Sequence, residues 1–122
     1  MDTHRWLAFL LLARLLLGLA YSIAIPAGEA PDEADHLAYA AYIAQERRLP
    51  AGAEMTQAKH PPLYHVLAAA VGGPAGLDTG FLRANPDVGF TPDASPNFFV
   101  HTTLEDWPWR DGPLAMRLAR LV

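Results

Sequence analysis

The stretch Trp6 to Ile25, WLAFLLLARLLLGLAYSIAI, decides how the rest of the chain is read. Wound as a helix it is long enough to cross the hydrocarbon core of a bilayer. Arg14 is its one charge. An Arg at the centre of a span costs about 2.5–3.5 kcal/mol on the insertion scale, and each Leu, Ile or Phe returns about 0.3–0.6. Eight Leu, two Ile and one Phe outweigh the single Arg, so the segment is expected to insert. A cleaved signal peptide is the competing reading, since Ser22-Ile23-Ala24 offers a small-x-small cleavage site. Against it, Arg14 interrupts the core, the run is long for a signal, and only Arg5 is clearly basic ahead of it. Arg5 and the terminal amine put residues 1–5 in the cytoplasm by the positive-inside rule, with everything from Ala27 outside. Arg14 then either faces partner helices of a larger bundle or snorkels from a lone anchor.

Outward from that span, Pro26 and Gly28 end the first helix, and Pro31 suits the opening of a second. Residues 32–48 are Ala-rich without internal Gly or Pro, and their charges follow the helix dipole. Asp32, Glu33 and Asp35 stand at the start, Arg47 and Arg48 at the end. Its centre, LAYAAYIA, is apolar on most faces and calls for burial in protein or in the membrane interface. After a short loop, Pro61-Pro62 opens an apolar helix over 62–71 that Gly72-Gly73-Pro74 closes, too short to span. Turn signals at Asn85-Pro86, Thr91-Pro92-Asp93 and Ser95-Pro96-Asn97 predict an ordered loop with little regular structure. Phe98, Phe99, Trp107 and Trp109 read as a headgroup-level aromatic belt. Residues 111–122 read as the first turns of a second membrane span, cut short. The expected class is therefore all-α and integral to the membrane, with one amino-terminal span and an extracytoplasmic loop over 26–110.

Composition narrows the function. In 122 residues the formal net charge is −4, against a nucleic-acid partner, which would need clustered Lys and Arg. The chain has no cysteine, which excludes a disulfide framework, a thiolate zinc site and a Cys nucleophile. Neither an internal repeat, a Gly-rich phosphate loop nor a nucleophile elbow is present.

Three polar clusters could carry chemistry. His36 stands four residues after Asp32 and three after Glu33, sharing a helix face with either acid. A carboxylate and an imidazole so spaced hold a divalent cation or act as an acid–base pair; first-turn acids are equally common on purely structural helices. Lys59, the only lysine, and His60 precede a helix start, an arrangement suited to phosphate, with His65 nearby. An ordinary solvated loop accounts for them as well. His101, Glu105 and Asp106 form a third group without an evident mechanism.

The order of these features resembles the amino-terminal part of the GT-C superfamily of membrane glycosyltransferases. A span is followed by Pro31-Asp32-Glu33, His36, Tyr39, Tyr42 and Leu49-Pro50, then by His60-Pro61-Pro62-Leu63-Tyr64 and Leu67. The likeness covers Pro31 to Leu67 and is nearest to the polyprenyl-phosphate-sugar-dependent branch, similar to protein O-mannosyltransferases and the aminoarabinose transferases of lipid A. It implies that Asp32 is the general base, with Glu33 beside it, and that nearby acids or His bind a divalent metal, here Asp32 and His36. It also implies that Lys59 and His60 contact the lipid phosphate, although many relatives have an acid followed by Lys before the prolines. The partners implied are a polyprenyl-phosphate-linked sugar, membrane lipids and the rest of a polytopic chain; the place is the cell membrane. A single-span anchored or secreted binding module is the alternative. A soluble metal-dependent hydrolase using Asp32, His36 and His60 ranks behind both, for want of a compact metal motif.

Overall fold

A computed structural model describes residues 2–122. They form four α-helices, α1 (Thr3–Ala24), α2 (Glu33–Glu46), α3 (Leu63–Gly72) and α4 (Asp111–Ala119), with 3₁₀ turns at Thr56–Lys59, Gly73–Ala75 and Thr103–Glu105. Among the described residues there is no strand, only isolated bridges joining Ala84 to Phe99 and Val88 to Ser95. The all-helical expectation is met.

α1 is apolar around its whole circumference and nearly unpacked. Its mean hydropathy is 2.1 over the most apolar window, its leucines are exposed, and Ser22 is its one buried residue. A helix of this length and composition is able to cross a bilayer. It starts three residues before Trp6 and stops at Ala24, because Ile25 turns to an extended conformation and Pro26 has no N–H to continue the ladder.

α2, α3 and α4 pack together. Leu37, Ala40 and Ala41 of α2 meet Ala68 and Ala69 of α3 and Ala115, Met116 and Ala119 of α4, with Leu77 and Ala27 closing the ends. Small side chains make this core, and the backbones approach accordingly. A Cβ on Gly72 would lie 2.8 Å from the Ala115 carbonyl oxygen, so α3 and α4 touch only because that position is glycine.

The boundaries shift for physical reasons. α2 begins at Glu33 rather than Asp32 because Asp32 adopts a left-handed conformation, φ 56°, and it ends at Glu46 because Arg47 does the same, φ 55°. Beyond α2, the Glu54 carboxylate accepts from both Arg48 and the Ala51 N–H and folds the exit loop. α4 has nine residues, about 14 Å of helix. Its apolar face is spent on the core just described, and a turn follows at Arg120.

The loop after Leu77 is held to the α1–α2 linker by one side chain. Glu29 accepts the backbone N–H of Phe98 and Phe99, each at 2.9 Å, and faces His101 Nε2 at 3.0 Å. His101 Nδ1 in turn lies 3.0 Å from Glu105. His101 and Glu105 of the third polar cluster thus form part of a structural clamp.

Candidate functional site at the α1–α2 junction

A helix that stops abruptly leaves its last carbonyls without partners. Arg120, from the end of α4, supplies them. Its Nη1 donates to the carbonyls of Ser22 (3.0 Å) and Ile25 (2.7 Å), and its Nη2 to that of Pro26 (2.8 Å). Arg117 also donates to the Ser22 carbonyl, while Ser22 Oγ donates to the Arg117 carbonyl at 3.2 Å. Cations at a helix C-terminus are favoured by its dipole as well.

The same Arg120 grips Glu33 through two nitrogens, at 2.5 and 2.7 Å. Glu33 Oε2 additionally accepts the Gly28 N–H at 3.1 Å. Both side chains are largely buried, 12% and 14% exposed. Gly28 itself has φ +80°, and a Cβ there would lie 2.7 Å from the Phe99 ring. Glu33 is therefore committed to holding α1, α2 and α4 together.

Asp32 is the opposite case. It is exposed, its carboxylate makes no cap hydrogen bond to α2, and its left-handed backbone turns it out of the helix. It lines a cavity of about 550 Å³ with Asp35, Ala84, Phe98 and Phe99. A left-handed non-glycine residue costs about 1 kcal/mol or more and is worth attention where function is sought.

His36, in the first turn of α2, pairs with neither acid. Its Nδ1 lies 2.8 Å from Nε2 of His65 on α3. The two rings stack with centroids 5.1 Å apart, Tyr39 stacks on the far side of His65 at 3.9 Å, and His60 meets His36 edge-on at 5.3 Å. Burial, then the charges of His36 and His60, push the His65 imidazole down from its ordinary value. The segment KHPPLYH is thus docked on the first turn of α2. Lys59, ending its 3₁₀ turn, and His60 are both exposed there.

A divalent ion on Asp32 and His36 does not fit this arrangement. His36 Nδ1 is engaged by another imidazole, and among the described residues no three His, Asp or Glu side chains converge on a point.

Sequence reading missed Arg120, Arg117, Glu29 and the partnership of His65. Basic residues in a carboxy-terminal apolar helix were the one available signal for the arginines. No family model, curated protein or solved structure matches this chain.

Proposed function

We propose that these residues are the amino-terminal portion of an inverting membrane glycosyltransferase that takes a sugar from a polyprenyl-phosphate donor on the outer face of the membrane. The observation that carries the reading is the division of labour between adjacent carboxylates. Glu33 is locked by Arg120, while Asp32 stays free and exposed on the rim of a cavity, immediately beyond a helix long enough to span. A general base needs an unengaged carboxylate within reach of the acceptor.

In this reading Asp32 removes the proton of an acceptor hydroxyl as its oxygen attacks the anomeric carbon. The bond from that carbon to the phosphate oxygen breaks, and the departing polyprenyl phosphate carries away the pair of electrons. Its charge is met by Lys59, His60 and the amides that open α3. The docking of His60 against His36 supports this, since it keeps the cationic segment beside the start of α2. α4 is read as leading into further membrane helices of the same protein.

The hold of Arg117 and Arg120 on Ser22, Ile25 and Pro26 favours an uncleaved α1. Cutting after Ala24 would discard a buried Ser22 and two of the four hydrogen bonds that the arginines donate to Ser22, Ile25 and Pro26.

The test is transfer from a labelled polyprenyl-phosphate sugar, using the longest reading frame that contains these residues. Asp32→Asn is expected to lower transfer by at least about 10², the scale of a general base, with expression and membrane yield unchanged. Full activity in that variant removes Asp32 from the role.

A further inference from the structure

We propose that His36 and His65 form an acid-released clasp that fastens the start of α2 to α3, and with it the Asp32 turn to the Lys59–His60 segment. The inference is independent of the glycosyltransferase reading. It stands on how two imidazole nitrogens face each other.

At 2.8 Å the His36 Nδ1 to His65 Nε2 contact accommodates one hydrogen. One nitrogen must donate and the other must offer a lone pair. That holds when both rings are neutral, and it still holds when one is charged. With both charged, two N–H groups would point at each other across the same gap. The closed pair therefore takes up at most one extra proton, and the opened pair takes up two.

Only the Pro61 backbone favours a charged His65 ring, and burial with the charges of His36 and His60 outweighs it. His65 is 2% exposed, and its Nδ1 is buried without a hydrogen-bond partner. From α2 it is faced by His36 and Tyr39, and from the segment ahead of α3 by His60. Tyr64, its neighbour on α3, meets it edge-on and itself feels Glu33 and, from α4, Arg120. The charges that act on His65 come from His36 and His60, both cationic when protonated. No carboxylate is among them.

The sign follows from proton counting. The open state binds one proton more than the closed state, so the closed state is favoured at high pH and lost as pH falls. The depressed His65 imidazole gives the same direction: its contribution to the docked state is intact above the ordinary imidazole pKa of about 6.5 and declines below it. One extra proton makes the open-to-closed ratio rise about tenfold per pH unit below about pH 6.

The experiment uses the whole chain in lipid nanodiscs, with nitroxides on cysteines replacing Asp35 and Leu67, since the chain has no cysteine of its own. Interspin distances are measured between about pH 7.5 and about pH 5, on either side of that pKa, alongside ¹⁵N spectra of the imidazoles. A short distance at the upper pH is expected to give way to a long one as both rings become protonated. His36→Gln and His65→Gln are expected to keep the short distance throughout, because a Gln amide offers both a donor and an acceptor to the remaining ring. An unchanged distance in the parent overturns the clasp. So does opening while His65 is still neutral, or acid opening in either Gln variant that starts closed.

Discussion

Asp32 and Glu33 are neighbours in the chain with opposite surroundings, and each predicts a different phenotype. Asp32 bears no structural bond, so Asp32→Asn should change unfolding stability by less than about 0.5 kcal/mol while removing transfer; Asn tolerates the left-handed turn as Asp does. Arg120 should behave in reverse. Arg120→Ala leaves a buried Glu33 carboxylate without its cation and the Ile25 carbonyl without a donor, which breaks a buried pair at a cost of about 3–5 kcal/mol. Denaturation followed by tryptophan fluorescence checks both, and an Arg120→Ala chain as stable as the parent would deny the latch. Pro31-Asp32-Glu33 was legible in the sequence as a helix start with free acids. That Glu33 would be engaged and Asp32 beside it left free was not, because the partner that takes Glu33 lies 87 residues away and no local rule connects them.

At the scale of elements, the helices were legible and their faces were not. The apolar run of α2 announced burial, and Pro61-Pro62 and Gly72-Gly73-Pro74 bracketed α3 to within a residue. What α2 buries itself against depends on side-chain size. Ala40, Ala41, Ala68, Ala69, Ala115 and Ala119 let three helices close on one another, and a stretch of alanines reads from sequence only as helix propensity. Gly72 sits at the tightest point. Gly72→Val is expected to destabilise by about 1–3 kcal/mol, since the added carbons meet the Ala115 backbone and the buried Leu77 side chain and overpacking at rigid contacts costs that much. Gly52→Val, with nothing within 4 Å of its would-be Cβ, is the matched control and should be near neutral. Equal effects at the two sites would mean that α3 and α4 do not pack as described. α4 shows the limit of periodicity. Its apolar residues suggested a membrane span, yet in this fold they face the α2–α3 pair and its arginines reach back to α1.

For the whole molecule the question is what surrounds α1. A helix with leucines on every side and a single buried residue at its end exposes far more apolar surface than a soluble monomer of this size carries as a patch. Lipid removes that cost without any protein partner, and Arg14 is then the one group needing relief. Its guanidinium donates to the Val122 carbonyl at 3.2 Å, so one of its donors is already satisfied from the far end of the chain. If α1 spans with its amino terminus in the cytoplasm, the packed remainder, apart from the carboxy-terminal turn that runs back along α1 to Arg14, lies on one side of the membrane, opposite residues 2–5. Single cysteines distinguish the arrangements without background, because the chain contains none. A cysteine replacing Ser95, in the loop that Glu29 ties down, should react with a membrane-impermeant maleimide on intact cells. One replacing Asp2 should react only after the membrane is opened. The reversed pattern would put the Asp32 turn on the cytoplasmic face, and with it any donor it uses. Labelling of both from outside, with the protein released into the medium, would mean that α1 does not hold the chain in the membrane. The hold of Arg117 and Arg120 on the last turn of α1 argues against release, since the same contacts that order the site keep α1 attached to it, and the two cysteines decide between the other two patterns.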